Sequence, residues 1–487
     1  MRKFALLLLD DFEYGLSFVL LIRQLYCSFI QSIFLLLYLI FTSMLMKNAI
    51  YTCISVVMGL VAPLSSLAET TYPDFALGAD ISWYTQMEAE GVNVYDTDGS
   101  LTSVPALTRY YGMDAIRLRV FVDPQYAYCL GAPQVWCDKA DLLVKARAAR
   151  DNGQRVMVDF HFSDNWCHPG QQWTPAAWTD TSTEGLARAA VAHVTDVLSA
   201  CRQENVDVAW VQIGNEVGGG FLLQNPDGKT VTDYGVINND GAEGFITIFN
   251  AAARAVKEIY PQAKRVLMTA HGAEWATLDW TLSIVNGALD YDLFGVSIYP
   301  QPQEGADKDN TTMWRTRAEA CVDAVKKIHQ KYGKRTLICE TGMNSYYTSA
   351  IPWGVESNSA KCNEDQREFM EYFIPALKAI GVCDGVLWWE PEIYNWKYQT
   401  WNPYNPDWTM QQGAMTYQWR PGTVWEYLKS ISTFHPSLAS DDVTDNVSDD
   451  IATYYNLAGE KVNPDRLSTG IYIKKHGKIV EKIAITN

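Results

Sequence analysis

Short apolar runs alternate with longer amphipathic stretches along most of the chain. From Tyr72 onward, eight runs of five to eight residues are apolar or alternate apolar with polar positions, a pattern that is typical of strands. The stretches between them place apolar residues three and four positions apart, which predicts helices with one buried face. The predicted strands are Phe75–Ile81, Ala115–Phe121, Arg155–Phe162, Asp207–Ile213, Arg265–Thr269, Leu293–Ile298, Thr336–Glu340 and Gly385–Trp389. The predicted helices include Lys139–Asn152, Glu184–Asn205, Glu243–Tyr260, Met313–Tyr332 and Gln366–Ile380.

This alternation indicates an α/β fold. Strands that alternate with helices form βαβ units, in which consecutive strands run parallel. Eight such units close into a (β/α)8 TIM barrel, which we predict for residues 69–437, with functional side chains at the carboxyl ends of the strands. An open doubly wound sheet is the rival architecture, but no G-x-G-x-x-G turn follows the first strand.

The amino-terminal region has a different pattern. A lysine precedes the apolar run Ala49–Ala62, and small residues lead from this run to Ala68. A basic residue, an apolar segment and a small-residue site in this order are typical of a signal peptide. We therefore predict that residues 1–68 are upstream sequence plus a signal peptide, that translation starts at Met44 or Met46, and that cleavage follows Ala68.

A membrane anchor is the alternative for this region. Phe29–Met46 contains 18 mostly apolar residues, and about 18 such residues can cross a bilayer. The signal-peptide interpretation leaves no stable membrane span in the mature chain. It also predicts export to the periplasm, the cell surface or the medium.

Residues 438–487 form a third region. Acidic, turn-rich sequence at Asp441–Asp450 is followed by β-like runs at Thr453–Asn456, Gly470–Lys475 and Ile479–Ile485. This pattern predicts an acidic linker and a small β-rich appendage. The tail is also similar to short carboxyl-terminal sorting segments on exported proteins of Bacteroidetes-type bacteria, and a purely stabilising role is the alternative.

Composition narrows the class of partner. The chain carries 56 acidic and 39 basic residues, for a net charge of −17, and this charge repels a nucleic-acid backbone. With 48% apolar residues the chain can bury a large core, so general disorder is excluded. The 17 Trp and 27 Tyr residues favour stacking on sugar faces, although most aromatic residues in proteins belong to the core.

Ten cysteines are present, and two of them fall within residues 1–68. Export would place the other eight in an oxidising compartment, where some can pair. Cys129 and Cys137 share one short loop-like stretch and are the best candidates for a disulfide. Cys339 lies in an apolar strand, which favours a buried thiol that packs as a small apolar side chain.

Two predicted strands end in glutamates. The fourth ends in Gly214-Asn215-Glu216 and the seventh in Glu340-Thr341-Gly342. Two carboxyl groups at one end of a barrel are what cleavage of a glycosidic bond requires, one protonated to donate to the leaving oxygen and one ionised to attack. Mutual repulsion and burial separate the two protonation states. A solvated charge is the ordinary interpretation of one such glutamate, and it fits a matched pair poorly.

Other polar and aromatic residues are predicted at the same end of the barrel. Arg119 either neutralises interior carboxylates or orients the nucleophile, and His161 is either a satisfied core histidine or a functional one. A metal cluster of His161, Asp164 and His168 fits no zinc-ligand spacing. The tryptophans after the third strand line subsites or cap the barrel. The remaining candidates at strand ends are Arg117, Asp159, His271, Tyr299, Trp388, Trp389 and Glu390, and the tryptophans are Trp166, Trp173 and Trp178.

Six motifs in order resemble glycoside hydrolase family 53, the endo-β-1,4-galactanases of the large Glu/Glu (β/α)8 clan. They lie between Phe75 and Ser430, in barrel spacing. The motifs are Gly78-Ala79-Asp80-Ile81-Ser82, Arg117-Leu118-Arg119-Val120, Asp159-Phe160-His161-Phe162-Ser163-Asp164, Gln212-Ile213-Gly214-Asn215-Glu216, Glu340-Thr341-Gly342 and Trp388-Trp389-Glu390-Pro391.

The resemblance implies a retaining mechanism with Glu216 as acid/base and Glu340 as nucleophile. Asn215 would hydrogen-bond the sugar 2-hydroxyl, Arg119 and Tyr299 would contact Glu340, and Trp389 would form the stacking floor. The other residues implied in substrate binding are Asp80, His161, Asp164, Trp166 and His271. The implied partner is the β-1,4-galactan of pectic arabinogalactan, hydrolysed by a monomer that requires no cofactor for catalysis.

The chain departs from the family pattern beside the cleft. Cys167-His168-Pro169 replaces the usual Asp-Pro pair, and Val217–Leu223 lacks the usual Trp after the acid/base motif. Some family members carry a structural calcium after the eighth strand; Asn402–Asp407 offers oxygen ligands there, with Asp407 as its one carboxylate, and no metal ligand is assigned. Two alternatives stay open at this point: another β-glycanase of the clan, such as a mannanase or cellulase, and a non-catalytic galactan-binding surface protein.

Overall fold

The computed structural model describes residues 72–124, 136–300, 313–345, 356–394, 396 and 413–434, and four strands of the tail. The chain divides into two units, Met1–Ala68 and Glu69–Asn487. The first unit, with the predicted start, signal peptide and anchor, lies outside the described residues. So do Cys129 and the calcium candidate Asn402–Asp407.

The described elements are numbered in chain order. The strands are β1 Ala76–Asp80, β2 Val94–Tyr95, β3 Leu101–Thr102, β4 Ala115–Val120, β5 Arg155–Phe160, β6 Val208–Ile213, β7 Gly220–Phe221, β8 Gly235–Val236, β9 Lys264–Thr269, β10 Leu293–Ile298, β11 Arg335–Thr341, β12 Cys383–Trp389, β13 Thr453–Tyr455, β14 Lys461–Val462, β15 Gly470–His476 and β16 Ile479–Ile485. The helices are α1 Tyr84–Ala89, α2 Val104–Tyr110, α3 Lys139–Asp151, α4 Thr183–Gln203, α5 Glu243–Ile259, α6 Trp275–Val285, α7 Met313–Tyr332, α8 Glu356–Ile380 and α9 Thr423–Ile431.

Eight parallel strands form the predicted closed barrel, in the order β1-β12-β11-β10-β9-β6-β5-β4. Each of the eight predicted strands is present, with ends within two residues of the prediction. Four of the five predicted helices also have ends within two residues of the prediction. The exception is α8, which begins ten residues before its predicted start and contains Pro375; α6 and α9 were not among the helices named from the sequence.

Apolar side chains fill both sides of the barrel wall. One large cluster lies between the strands and the helices, and a smaller one plugs the barrel interior. The interior cluster includes Met157, Trp210, Met268, Leu337 and Cys339. Cys339 is thus the buried thiol that the sequence predicted.

A break in strand register lies next to this plug. Val296 of β10 pairs with Ile338 of β11, whereas Ser297 pairs with Glu340, so Cys339 is an additional residue on β11. A bulge of this kind redirects the side chains that follow it. Cys339 therefore belongs to the apolar plug, while Glu340 lies among the polar groups above it.

The tail contains the predicted β-rich appendage. Strands β13 to β16 form an antiparallel sheet in the order β14-β13-β15-β16. Within the described part of the chain, no helix has the length and apolar character needed to cross a bilayer.

The predicted disulfide is wrong for Cys137. This residue is a free, buried thiol, and its Sγ lies 3.5 Å from Nζ of Lys145. Burial raises the pKa of the Cys137 thiol, so the neutral form is favoured.

Candidate active site

Glu216 lies in a tight turn at the carboxyl end of β6. Gly214 has φ +83° and Glu216 has φ +51°, which is the left-handed region that favours glycine. A hydrogen bond joins this turn to β9, because the amide of Val217 donates to the carbonyl of Met268 (2.9 Å). A glutamate held in such a conformation indicates that its surroundings fix its position.

The carboxyl group of Glu216 is kept protonated at neutral pH. Its Oε1 accepts a hydrogen bond from Oγ of Ser297 (2.5 Å). Burial and the negative charge of Glu340 raise the pKa of Glu216 to about 8, against the opposing effects of Ser297 and Arg117. Glu216 can therefore act as a proton donor.

Glu340, at the end of β11, has partners that stabilise its ionised form. Its Oε1 lies 2.7 Å from Nη2 of Arg117, and its Oε2 accepts a hydrogen bond from Oη of Tyr299 (2.9 Å). Burial raises the pKa of Glu340, while Arg117 and Tyr299 lower it by stabilising the anion. Since these two partners face Glu340, it is the better placed of the two carboxyl groups to carry the negative charge, and Glu216 is the better placed to carry the proton.

Arg117 is the centre of a buried polar network. Its guanidinium also contacts Asp80 (2.7 Å), Asp159 (2.8 Å) and Oδ1 of Asn215 (2.9 Å). Burial lowers the pKa of Arg117, but the surrounding carboxylates more than offset this and raise it overall. A permanent cation beneath Glu340 is the result.

The predicted contact between Arg119 and Glu340 is wrong. The guanidinium of Arg119 lies over the rings of Trp83 (4.3 Å) and Trp166 (4.1 Å), and its nearest acid is Asp80 at 3.6 Å. Arg117 and Arg119 are two positions apart on β4 and so share its interior face. They differ in height along the barrel, and only Arg117 reaches Glu340.

Three of the predicted substrate ligands belong to this network. Asp80 is 1% exposed and binds Ser82 and Arg117, and His161 is 2% exposed, between Asp159 (3.0 Å) and the amide of Cys167 (3.0 Å). Oδ1 of Asn215 accepts hydrogen bonds from Arg117 and Gln212. These side chains support the site through one another, and contact of Asp80 and His161 with substrate stays a prediction.

Two further candidates stabilise the loops. Asp164 accepts hydrogen bonds from the amides of Asp123 (3.0 Å) and Ala176 (2.8 Å), which ties the loops after β4 and β5 together. Trp166 is buried against Arg119 and Trp83. Contact of either residue with substrate stays a prediction.

Tyr299, Trp389 and His271 remain accessible at the carboxyl ends of their strands. Trp389 is half-buried, and its ring lies edge-on to that of Tyr299, with 5.7 Å between centroids. His271 is exposed, has φ +66°, and places Nδ1 3.4 Å from Oε1 of Glu274. An indole next to the nucleophile's own partner fits a stacking surface for a sugar ring.

Sequence reasoning missed Ser297. The serine lies on the interior face of β10, opposite Glu340 in register, and its hydroxyl contacts Glu216. The signal was available, because a polar residue two positions before Tyr299 in an otherwise apolar strand must face the same interior. Among the described residues, no cluster of three or more His, Cys, Asp or Glu side chains could hold a metal ion.

The barrel and the paired carboxyl groups define a glycoside hydrolase. The chain belongs to glycosyl hydrolase family 53, whose family model matches residues 76–434. The predicted resemblance is thereby confirmed.

Curated relatives and solved structures agree with this assignment. The endo-β-1,4-galactanase of Bacillus subtilis (strain 168) is 25% identical over 364 residues, which cover 71% of this chain and 74% of that protein. The arabinogalactan endo-β-1,4-galactanase of Cellvibrio japonicus (strain Ueda107) is 24% identical over 356 residues, covering 71% and 87%. The family 53 catalytic domain of Ignisphaera aggregans has the same fold, with a TM-score of 0.58, 24% identity, and coverage of 74% of this chain and 97% of that one.

Proposed function

We propose that the protein is a retaining endo-hydrolase of β-1,4-galactosidic linkages in galactan. The observation that carries this proposal is the pair of carboxyl groups at one end of the barrel, with Ser297 bonded to Glu216 and with Arg117 and Tyr299 bonded to Glu340. The names of the relatives from Bacillus subtilis and Cellvibrio japonicus supply the linkage and the sugar.

The proposed reaction has two steps. In the first, Glu340 attacks the anomeric carbon while Glu216 donates its proton to the leaving glycosidic oxygen, which gives a glycosyl ester on Glu340. In the second, ionised Glu216 takes a proton from water, and the resulting nucleophile releases the sugar from Glu340. Arg117 and Tyr299 then again stabilise the carboxylate of Glu340.

The spacing of the elements supports retention over inversion. Ser297, which contacts Glu216, is the register partner of Glu340 on the adjacent strand. Neighbouring strands lie about 4.8 Å apart, so the serine that contacts Glu216 lies about one strand spacing from the backbone of Glu340. Retaining enzymes place them about 5–5.5 Å apart, whereas inverting enzymes leave about 6.5–9.5 Å for a water molecule.

We also propose that the enzyme is exported and acts on the galactan side chains of pectin. This rests on the apolar run Ala49–Ala62 and the small residues up to Ala68, and on the name of the Cellvibrio japonicus relative. Intact-mass measurement of the secreted protein would give the cleavage site. A mature chain that retains residues before Glu69 would contradict it.

Linear β-1,4-galactan is the substrate that tests the function. We expect short galacto-oligosaccharides from galactan but not from mannan or cellulose, and proton NMR should show the β-anomer first. Release from mannan or cellulose alone would assign a different clan activity, and an α-anomer formed first would contradict retention.

The variant Glu340→Gln separates catalysis from binding. It preserves the shape of the side chain but removes the nucleophile, so turnover should fall by several orders of magnitude while galactan binding persists. Undiminished turnover would remove the nucleophile assignment. Binding without turnover in the wild type would identify a non-catalytic galactan-binding protein.

A further inference from the structure

The residue that follows Trp389 carries a buried carboxyl group that accepts a hydrogen bond from a tryptophan. Glu390 is 0% exposed, and its Oε1 accepts a hydrogen bond from Nε1 of Trp83. Among the described residues, no group bonds to its Oε2. This bond links the end of β12 to the loop after β1, the neighbouring strand of the barrel.

The backbone of Glu390 is also constrained. Its φ is +59°, in the left-handed region that a residue with a side chain rarely adopts. Its amide donates to the carbonyl of Asp80 (3.1 Å). The chain therefore turns sharply just after Trp389, and the contacts of Glu390 must offset the strain of that turn.

Trp83, the partner of Glu390, also packs against the guanidinium of Arg119. The guanidinium of Arg119 lies 4.3 Å from the ring centre of Trp83 and 4.1 Å from that of Trp166. Within the described residues, the three guanidinium nitrogens of Arg119 make no hydrogen bond. Its stable cation therefore interacts with the ring faces, an arrangement that strengthens when water is excluded.

We propose that Glu390 is a positioning residue that acts through its bond to Trp83 to fix the orientation of the Trp389 indole. Arg119, Trp83 and Glu390 then form a continuous support from β4, across the loop after β1, to the end of β12. This inference rests on the proposed function, in which Trp389 is the stacking floor for the sugar beside Glu340. It assigns a purpose to the buried Arg119, which does not contact the nucleophile.

Three variants test the bond between Glu390 and Trp83. Glu390→Leu removes the acceptor, Trp83→Phe removes the donor but keeps an aromatic ring, and the third variant combines both changes. A loosened stacking surface should raise KM for galactan about threefold to tenfold, with a smaller change in kcat. Because both changes break one bond, the double variant should be no worse than the worse single variant.

Two controls separate positioning from general damage. Glu390→Gln keeps an acceptor for Trp83 and should retain a KM within about twofold of the wild type. Glu392→Leu changes another fully buried carboxyl in the same turn, one that has no hydrogen-bond partner among the described residues, and it should also leave KM nearly unchanged.

Several outcomes would overturn the inference. These are an unchanged KM in Trp83→Phe, additive effects in the double variant, or an equal rise in KM for Glu392→Leu. If Glu390→Leu does not fold, the comparison of Trp83→Phe with Glu390→Gln still decides the question. No product from galactan with the wild type would instead contradict the proposed substrate, which distinguishes the two failures.

Discussion

At the scale of single residues, the charge pattern of the site depends on Arg117. Its planar guanidinium contacts Glu340, Asp80, Asp159 and Asn215 at the same time. A lysine would keep the charge but lose this forked geometry. We expect Arg117→Lys to lower kcat on galactan by roughly 100-fold or more, with little change in KM, because positioning of the nucleophile is lost. Steady-state kinetics measures both values.

Arg119→Lys is the matched control for this prediction. It changes the same residue type on the same face of β4, but it affects a cation that lies over Trp83 and Trp166. Its loss in kcat should be much smaller. Equal losses in the two variants would show that Arg117 has no special relation to Glu340.

The contrast between the two arginines shows what sequence could and could not provide. The alternation of β4 correctly places both side chains in the barrel interior. The alternation does not show how far along the barrel axis each arginine lies relative to the other strands. The bulge at Cys339, which positions Glu340, also has no signature in the apolar run around it. The two catalytic candidates were predictable from strand ends, and the contact of Tyr299 with Glu340 from the resemblance, but Arg117 as the charged partner of the nucleophile was not.

Ser297 gives a prediction about pH dependence. Its hydrogen bond favours the ionised form of Glu216 and so lowers a pKa that burial and Glu340 raise to about 8. Glu216 is active when protonated, so activity should fall as pH rises through this pKa. Ser297→Ala should move the alkaline limb of kcat/KM to higher pH, and Ser297→Thr, which keeps a hydroxyl, should restore it. A shift to lower pH would contradict the assigned role.

At the scale of elements, the barrel strands were predictable because each is a short apolar block between turn residues. Most of the predicted helices were equally predictable, and α8 is the exception. It contains Pro375 and a polar amino-terminal half, but Cys362 and Asn363 in that half are buried, so packing extends the helix beyond what local preference suggests. Tertiary contacts thus decided the length of α8, while local pattern decided the positions of the strands.

The close approach of β1 and β4 gives an element-scale prediction. A Cβ on Gly78 would lie 2.3 Å from the carbonyl oxygen of Ala115, a backbone atom that cannot move without distorting the barrel. Gly78→Ala should therefore reduce the free energy of unfolding by about 1–3 kcal/mol in urea titrations. Gly219→Ala, where nothing lies within 4 Å of the added atom, is the control and should change it by less than about 0.5 kcal/mol. Equal effects would show that the strand contact is not the cause.

At the scale of the whole molecule, one end of the barrel contains several buried carboxyl groups with raised pKa values. They are Glu216, Glu340, Glu390 and Glu392. Burial is the first cause in each case. Burying these acids lowers the stability of the fold, which is common where function requires groups with perturbed pKa values.

The resulting dependence of stability on pH can be predicted for Glu390. Burial raises its pKa to about 8, with Trp83 and Arg119 opposing and the charges of Asp80 and Glu340 adding to the rise. Between its ordinary value of 4.5 and about 8, the folded state binds more protons at this site than the unfolded state. Its contribution to stability therefore falls as pH rises across that window and is constant above it. Glu390→Gln, which cannot ionise, should remove this part of the decline.

Melting temperatures at pH 5 and pH 9 test this prediction. The decrease between the two values should be smaller in Glu390→Gln than in the wild type, by at least roughly 2 °C, since about 1 kcal/mol shifts the melting temperature of a large domain by that amount. Glu368→Gln, on the exposed face of α8, is the control and should follow the wild type at both values. An equal decrease in the wild type and Glu390→Gln would mean that Glu390 titrates near its ordinary value, and the buried carboxyl beside Trp83 would then be ionised throughout the working range of the enzyme.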